Sequence, residues 1–429
     1  MRKMTSLLRR MRNKVVRMVL WPFHRIKHVL CQVITRIFDL MFDGGWLIDR
    51  LYRSRLDIRS VLLIRLDLIG DFTLWLDSAA VYREIYPDRK LVLCANRLWA
   101  ELARQQPYWD EVIEVDIDRL RTDQIYSLKL MVRLHWRGFN VAIQPTFSRE
   151  IVVDRLVRAT GAIERIGQQG DASNLNALDK KITDGWYTRL IFAGISQSME
   201  LQKNAEFVRA LGANSFRSSV GHLIFPFPKT VFFESDKAYV VICPSASWMP
   251  KAWPADKFAH LAQDLYLQQN LRIVLCGAPA DHALCERIVR ATKTPIDNLA
   301  GQTSLIQLLE VIAGASLVIS NDSGNIHLAA ALRIPSVCIV GGGHATRFLP
   351  YVVDNNQDCV LPSVALHYMD CFGCGWQCKF PIKVGDPVPC VSNIELSTVM
   401  TLCRNMLTRT PPGASPKPSY EHVQIKHDT

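Results

Sequence analysis

The sequence contains no apolar run of the about 18–20 residues that a membrane-spanning helix requires. The apolar stretch from Met18 to Phe23 is too short for the core of a signal peptide, and no Ala-x-Ala type cleavage site follows it. The twelve cysteines lack the regular spacing of a secreted disulfide framework. We therefore expect a cytoplasmic protein in a reducing compartment.

Outside its first 55 residues the chain also lacks an excess of positive charge. The net charge is +11, but residues 1–55 hold thirteen Lys or Arg and three Asp and so account for +10 of it. The remainder is nearly neutral, so we do not expect its folded body to bind nucleic acid. Its 429 residues, 49% of them hydrophobic, are typical of a globular protein of two or three domains.

The basic leader, residues 1–55, has the pattern of an amphipathic helix. Apolar residues recur every three or four positions from Ile26 to Phe42, and five Lys or Arg lie upstream between Arg9 and Arg17. Such a helix suits an anionic membrane surface, because each basic residue near it contributes about 1 kcal/mol. The alternative is a helix docked on the protein's own core. We predict peripheral attachment at the inner face of the cytoplasmic membrane.

Beyond the leader, strand and helix patterns alternate in two series. The first series begins with a strand at 59–65 and a helix at 72–85, and continues with strands at 91–94, 112–115 and 141–144. The second has strands at 239–243, 271–276, 316–320 and 336–340, and helices at 255–269, 280–291, 304–313 and 323–332. The alternation predicts an α/β protein with two doubly wound, Rossmann-like sheets facing a cleft.

The predicted domains follow from these two series and from the composition of the linkers. We place an N-terminal domain at 56–225 and a C-terminal domain at 236–408, with the linker beginning at the Pro-rich residues 225–228. The last residues, 409–429, are rich in Pro, Ser and Lys, which predicts disorder. In open α/β sheets, ligands bind beyond the carboxyl ends of the strands. The site is therefore expected in the cleft between the two domains.

The most informative segment joins the strand at 316–320 to the helix that begins near Ser323. Small residues at this junction, Ser323 and Gly324 among them, allow backbone N–H groups to approach an anion, and the helix N-terminus adds roughly half a positive charge. Asp322 lies in the same turn. His327 follows one turn later and either donates to a phosphate or sugar oxygen or is packed in the helix. The pattern predicts a nucleotide diphosphate site.

Two further segments carry candidate chemistry. Asp71 follows Gly70 near the start of the first helix, where it is either a general base for an acceptor hydroxyl or a helix cap. Ser245, Ser247 and Lys251 lie between the strand at 239–243 and the next helix. The two hydroxyls offer short donors to a diphosphate, and Lys251 offers a point charge, unless it is a solvent-exposed loop lysine.

A cysteine cluster with the spacing C-x2-C-x3-C-x11-C lies near the C-terminus, at Cys371, Cys374, Cys378 and Cys390. Four thiolates in one loop-like stretch can complete a tetrahedral site for zinc or iron. The alternative is four reduced thiols packed under a loop. We predict a structural metal or redox-sensitive clip rather than a catalytic group.

Together the motifs resemble glycosyltransferase family 9, the ADP-heptose:lipopolysaccharide heptosyltransferases. The resemblance is carried by four segments in family order, which are Ile64–Asp71, Arg158–Ala162 with Arg165–Gly167, Pro244–Ser247 with Lys251–Pro254, and Ser320–Gly324 with His327–Leu332. It implies the two-domain GT-B architecture, with the acceptor on the N-terminal half and the nucleotide sugar on the C-terminal half.

The resemblance also implies inverting transfer without a metal cofactor. It places the catalytic base on Asp71 and the phosphate-binding lysine on Lys251. Asp322, Ser323, Gly324 and His327 fall where the family holds the sugar and diphosphate. The expected donor is ADP-heptose or a similar nucleotide sugar, and the expected acceptor is a lipopolysaccharide-type glycolipid.

Three positions depart from the family pattern. Residues 341–344 read Gly-Gly-Gly-His where Gly-Pro-Thr-Asp is common in the family, and Asp67 replaces a small hydroxyl residue. Gln144 and Pro145 stand where an acidic residue often follows the fourth strand. The cysteine cluster resembles the metal site of heptosyltransferase-like enzymes that modify autotransporter proteins, so a protein acceptor is an alternative. A catalytically silent, nucleotide-sugar-binding scaffold is another.

Overall fold

The structure, a computed structural model, describes residues 57–192, 199–225, 237–383 and 385–409. The basic leader, nearly all of the C-terminal tail and most of the predicted linker lie outside the described residues. Within the described part, no helix is both long and apolar enough to cross a bilayer.

The first half of the described chain forms one six-stranded parallel sheet. Its strands are β1 (Asp57–Arg65), β2 (Lys90–Asn96), β3 (Glu111–Val115), β4 (Phe139–Gln144), β5 (Glu164–Gln168) and β6 (Arg189–Ile191), in the order β3-β2-β1-β4-β5-β6. Its helices are α1 (Ile69–Ile85), α2 (Ala100–Arg104), α3 (Ile117–Thr122), α4 (Gln124–Arg137), α5 (Ile151–Ala159), α6 (Ala177–Asp184) and α7 (Glu200–Ala210).

The second half repeats this arrangement. Its strands are β7 (Tyr239–Cys243), β8 (Arg272–Leu275), β9 (Ile296–Asn298), β10 (Leu317–Asn321), β11 (Ser336–Ile339) and β12 (Ser363–Ala365), in the order β12-β11-β10-β7-β8-β9. Its helices are α8 (Ala255–Gln269), α9 (His282–Arg290), α10 (Leu305–Ala313), α11 (Gly324–Ala331), α12 (Pro389–Ser392) and α13 (Leu396–Arg409). The predicted α/β class with two doubly wound sheets is confirmed.

The strand order fixes where ligands can bind. In each sheet the chain reverses its winding direction between two central strands, at β1 and β4 in the first and at β7 and β10 in the second. A crevice opens beyond the carboxyl ends of the strands at such a switch point. The segments after β1, β7 and β10 are those in which the sequence places Asp71, Lys251 and Asp322.

One apolar core joins the two lobes. It runs from β1 through α1 and α11 to β10 and β7, and all its members are buried. Two separate clusters cover the outer faces of the first and second sheets. Helix α1 is buried on most of its circumference, because it lies between its own sheet and the other lobe. Its buried residues include Phe72, Trp75 and Leu76. The lobes therefore meet along α1 and α11.

Candidate active site

The N-termini of α1 and α11 face each other across the cleft. A Cβ atom on Gly70 would lie 3.3 Å from the Cα of Gly324, and one on Gly324 would lie 2.8 Å from the Cγ2 of Ile69. Both glycines therefore permit a close approach of two backbones. Asp71 follows Gly70 in the first turn of α1, so the candidate base and the diphosphate-type helix end share one crevice.

Asp71 lies in an environment that opposes its ionisation. Burial is the main cause that raises the pKa of this carboxyl to about 7, and the charges of Asp67 and Glu200 raise it further. The guanidinium groups of Arg65 and Arg347 lower it, but by less. A carboxyl with a pKa near neutrality is suited to general base catalysis at physiological pH.

Asp67, the departure in the first motif, is held beside Asp71 by a buried arginine. The Nε of Arg65 lies 3.0 Å from a carboxylate oxygen of Asp67, and Arg65 also donates to the backbone carbonyl of Asp71 at 3.2 Å. The Nε1 of Trp99 donates to the Asp67 carbonyl at 2.9 Å. Burial raises the pKa of Asp67 as well, while Arg65 opposes the rise. In the turn after β1, two carboxyl groups therefore influence each other's ionisation, and one arginine contacts both residues.

Arg347 links the C-terminal lobe to this cluster. Its Nε donates to Glu200 at 2.9 Å, and its Nη2 donates to the hydroxyl of Ser148 at 2.8 Å. Glu200 is buried, and the Nζ of Lys203 lies 3.6 Å from its carboxylate. Because Ser148, Glu200 and Lys203 belong to the N-terminal lobe, one side chain of the second lobe ties the two lobes together near Asp71.

The loop between β7 and α8, called the donor-side loop after its predicted role, is fastened by Asn321, the last residue of β10. The Oδ1 of Asn321 accepts from the backbone N–H of Trp253 at 3.0 Å, and its Nδ2 donates to the carbonyls of Pro244 at 2.7 Å and Ser245 at 3.3 Å. The side chain is fully buried. It therefore fixes the loop that carries Ser245, Ser247 and Lys251 against the start of α11.

Lys251 lies in the short 3₁₀ turn Met249–Lys251 and is half-buried. Burial lowers the pKa of its ammonium group, and the nearby carboxylate of Asp322 opposes the change. Burial likewise raises the pKa of Asp322, and Lys251 opposes that rise. The two predicted donor-site residues thus interact, on the same side of the crevice.

Ser323 and His327 have different surroundings. The hydroxyl of Ser323, at the N-cap of α11, lies 2.9 Å from that of Ser320. The ring of His327 is buried, stacks on Tyr351, and its Nδ1 lies 2.6 Å from the Tyr351 hydroxyl. Burial lowers the pKa of His327 to about 3, so the ring is neutral at physiological pH. Its contacts favour the packed alternative, and a direct role towards phosphate stays a prediction.

The four clustered cysteines, Cys371, Cys374, Cys378 and Cys390, line one small cavity. The Cys390 thiol accepts from the backbone N–H of Gly342 at 3.4 Å, and burial raises its pKa. In the described ranges no three His, Cys, Asp or Glu side chains are arranged so as to hold a metal ion. The sequence prediction of neighbouring thiols agrees with their position, and a bound metal stays a prediction.

Several residues of the crevice had no role in the sequence prediction. Arg65 and Asn321 lie inside recognised motifs, but only their hydrogen bonds show what they hold. Glu200 and Arg347 lie outside the four motifs and reach the surroundings of Asp71 through tertiary packing. The buried Lys-Asn pair of α7, at residues 203–204, was the one available signal, because polar residues on the buried face of a helix need partners.

The family model described as Glycosyltransferase family 9 (heptosyltransferase) matches residues 150–372, more than half of the chain. The chain belongs to glycosyltransferase family 9. Its similarity to individual curated members is local. It is 37% identical over 112 residues to lipopolysaccharide heptosyltransferase 2 of Escherichia coli K12. This alignment covers 25% of this chain and 32% of that protein. With lipooligosaccharide heptosyltransferase 2 of Campylobacter jejuni it shares 28% identity over 186 residues, or 42% and 54% of the two chains.

Solved family-9 structures share the fold over a longer range. The glycosyltransferase of Veillonella parvula superimposes with a TM-score of 0.64 at 18% identity and covers 83% of this chain and 99% of its own. The Escherichia coli ADP-heptose lipopolysaccharide heptosyltransferase II gives a TM-score of 0.60 at 19% identity, with 82% and 99% covered. These family-9 neighbours confirm the GT-B architecture. The aligned sequence spans only about a third of the first curated relative.

Proposed function

We propose that the protein is a heptosyltransferase that moves a heptose, or a similar sugar, from a nucleotide donor to a hydroxyl group of a lipopolysaccharide-type glycan. The observation that carries this proposal is the contact between Gly70 and Gly324, since it brings Asp71 of one lobe to the helix end of the other. Membership in family 9 and the names of the curated relatives support heptose as the sugar.

ADP is the proposed nucleotide. The Escherichia coli neighbour is by name an ADP-heptose enzyme, and this chain shares its fold. The small residues and N–H groups at the start of α11, with Lys251 beside them, supply the positive potential that a diphosphate needs.

The proposed reaction is a single in-line displacement with inversion. Asp71 removes the proton from the acceptor hydroxyl, whose oxygen then forms a bond to the anomeric carbon while the bond from that carbon to the diphosphate oxygen breaks. The negative charge that develops on the leaving diphosphate is stabilised by the ammonium group of Lys251 and by the N-terminus of α11 at Ser323 and Gly324. No metal ion takes part in this scheme.

Nucleotide release tests the proposal. Purified full-length protein is mixed with ADP-heptose and with lipopolysaccharides whose core glycans are truncated to different lengths, and ADP is measured over time. We expect acceptor-dependent ADP release in the wild type and its loss in Asp71→Ala, with donor affinity retained in that variant. Release that requires a protein instead of a glycan would establish the protein-acceptor alternative. Donor binding without turnover on any acceptor would establish the silent scaffold.

Two accompanying proposals concern the cysteine cavity and the basic leader. For the cysteine cavity we propose a structural zinc or iron ion held by Cys371, Cys374, Cys378 and Cys390, whose binding would have to draw the thiols closer together than the structure places them. Metal analysis of the purified protein tests this proposal. For the leader we propose attachment to anionic membrane surfaces. Removing residues 1–45 should abolish binding to anionic vesicles and leave transfer to a water-soluble acceptor intact; loss of folding would instead indicate a helix docked on the core.

A further inference from the structure

The glycine loop, Gly341–Gly343, follows β11 and lies under the cysteine segment, residues 371–390. Two backbone hydrogen bonds join the loop and the segment, from the N–H of Gly373 to the carbonyl of Gly342 at 2.8 Å and from the N–H of Gly375 to the carbonyl of Gly343 at 2.9 Å. The cysteine segment is therefore packed against the C-terminal lobe. It is fastened to the loop that replaces the Gly-Pro-Thr-Asp run of the family pattern.

The three glycines are explained by the aromatic rings that cover them. A Cβ atom on Gly341 would lie 2.7 Å from the Trp376 ring, and one on Gly343 would lie 2.2 Å from it. A Cβ atom on Gly342 would meet the ring of Phe372 at 2.2 Å. No side chain fits at any of the three positions while the rings remain where they are. The departure from the family pattern thus makes room for Trp376.

Trp376 is held in an unusual backbone conformation. Its φ angle is +66°, in the left-handed region that bulky residues rarely adopt, and its neighbour Gly375 has a φ angle of +59°. Strained residues of this kind persist where the surrounding contacts determine them, and they concentrate at functional sites. The positive φ angle therefore indicates that contacts of the Trp376 side chain keep the residue in this conformation.

The ring lies between the cysteine segment and the donor-side loop. The ammonium Nζ of Lys251 is 4.3 Å from the centroid of the Trp376 ring, which is within the range of a cation–π contact. Trp248 of the same loop meets this ring edge-on at 6.0 Å between centroids, and His344 does so at 5.9 Å. The face of the indole thus orients the side chain that we assign to the donor diphosphate.

We propose that Trp376 is a positioning residue of the donor site, which holds the Lys251 ammonium against the diphosphate and makes the cysteine segment one wall of that site. This inference rests on the proposed function, because it assigns a ligand to Lys251. It adds a residue from outside the four family motifs and gives the cysteine segment a role in donor binding.

The test measures ADP affinity of the full chain by isothermal titration calorimetry. Trp376→Leu keeps an apolar side chain but removes the ring, and we expect it to weaken ADP binding by about 2-fold to 30-fold, the range of one cation–π contact. Trp376→Phe retains a ring face and should recover part of that loss. In turnover assays the donor KM should rise more than kcat falls. Equal ADP affinity in the wild type and Trp376→Leu would overturn the inference.

A double-mutant cycle separates positioning from general packing. If Trp376 acts through the ammonium group, Trp376→Leu should have little further effect on ADP affinity in a Lys251→Gln background. Phe372→Leu serves as the matched comparison, because Phe372 covers Gly342 from the same segment; its effect should add to that of Lys251→Gln. Additive effects of Trp376→Leu and Lys251→Gln would contradict the inference. Absence of ADP binding by the wild type would overturn the proposed function instead.

Discussion

Gly70 and Gly324 lie back to back at the starts of two helices from different lobes, with 3.3 Å between the Cα of Gly324 and the position of a Cβ on Gly70. The two residues have no side chains, and this is what allows a carboxyl-bearing helix and a diphosphate-type helix to begin at the same point. In the transfer that we propose, the base and the leaving group stand on opposite sides of the anomeric carbon, so groups from both lobes must face one cleft.

Substitution of one of these glycines should separate the lobes. In Gly324→Ala the new methyl group would lie 2.8 Å from the Cγ2 of Ile69 and 3.3 Å from the backbone nitrogen of Gly70, so the Ile69 side chain or the two helix starts must shift. We expect transfer to fall, with about 10²-fold as the upper bound that a displacement of about 1 Å would give. Gly185→Ala is the control, since a Cβ atom there lies in ordinary contact with Ile182 at 3.4 Å. Equal turnover in both variants would show that the crevice tolerates the separation.

Asp71→Asn should lower activity and raise stability. Loss of the base should reduce turnover by about 10²–10⁴-fold. The pKa of Asp71 is about 7 in the folded protein and near 3.8 when unperturbed, so the wild type loses stability as pH rises from about 4 to 7. Asparagine removes that penalty. Thermal denaturation should therefore show a higher Tm for Asp71→Asn at pH 8 and a difference close to zero at pH 4. A lower Tm at pH 8 would contradict the assigned pKa.

The pH dependence of transfer should report the charges around Asp71. Because the base must be ionised, kcat/KM should fall about tenfold per pH unit below pH 7. Asp67→Asn removes a negative charge from the vicinity and should move this acidic limb to lower pH. Profiles of kcat/KM for the donor against pH, measured with saturating acceptor, test the direction of this shift. An acidic limb at the same pH in the wild type and Asp67→Asn would show that the charge of Asp67 does not act on the base.

Arg347→Gln should move the same limb the other way. Its guanidinium lowers the pKa of Asp71, and its removal also leaves Glu200 without the partner at 2.9 Å. We expect the acidic limb at higher pH and a loss of stability, because Glu200 is buried. Opposite shifts in Asp67→Asn and Arg347→Gln, measured under one set of conditions, would be difficult to explain by nonspecific distortion.

Asn321→Ala should loosen the donor-side loop. It leaves the N–H of Trp253 and the carbonyl of Pro244 without their partner, and each unsatisfied buried group costs about 1–3 kcal/mol. We expect a fall of about 2–6 kcal/mol in the free energy of unfolding and weaker nucleotide binding. Asn405→Ala on the exposed side of α13 should leave both unchanged. Urea titration and calorimetry measure the two quantities.

The sequence predicted the regular parts of the fold well because their physical signals are local. The strand at 239–243 and the helix at 255–269 are confirmed to the residue, since a continuous apolar run and a proline before the helix mark their limits. Helix α4 and strand β5 were not predicted. The sequence of β5, Glu-Arg-Ile-Gly-Gln, is too polar to indicate a strand, and its pairing with β4 decides its structure.

The site was predictable only where it follows the strands directly. Asp71, Lys251 and Asp322 each come after a buried strand, and the starts of α1 and α11 meet at Gly70 and Gly324. The roles of the three side chains stay predictions. The predicted helix at 72–85 begins earlier, at Ile69, so Asp71 stands inside its first turn instead of before it. Arg347 and Trp376 could not be found in this way, because their partners lie 147 and 125 positions away along the chain.

The apolar core that passes through α1 and α11 has a consequence for the two lobes as building blocks. Each sheet relies on the other for part of its cover, so neither half carries a complete interior of its own. A fragment that ends at Phe225, or one that starts at Lys237, would expose part of this apolar core to water and should aggregate when expressed alone. Co-expressed, the two halves should find each other and rebuild the crevice without a peptide bond between them.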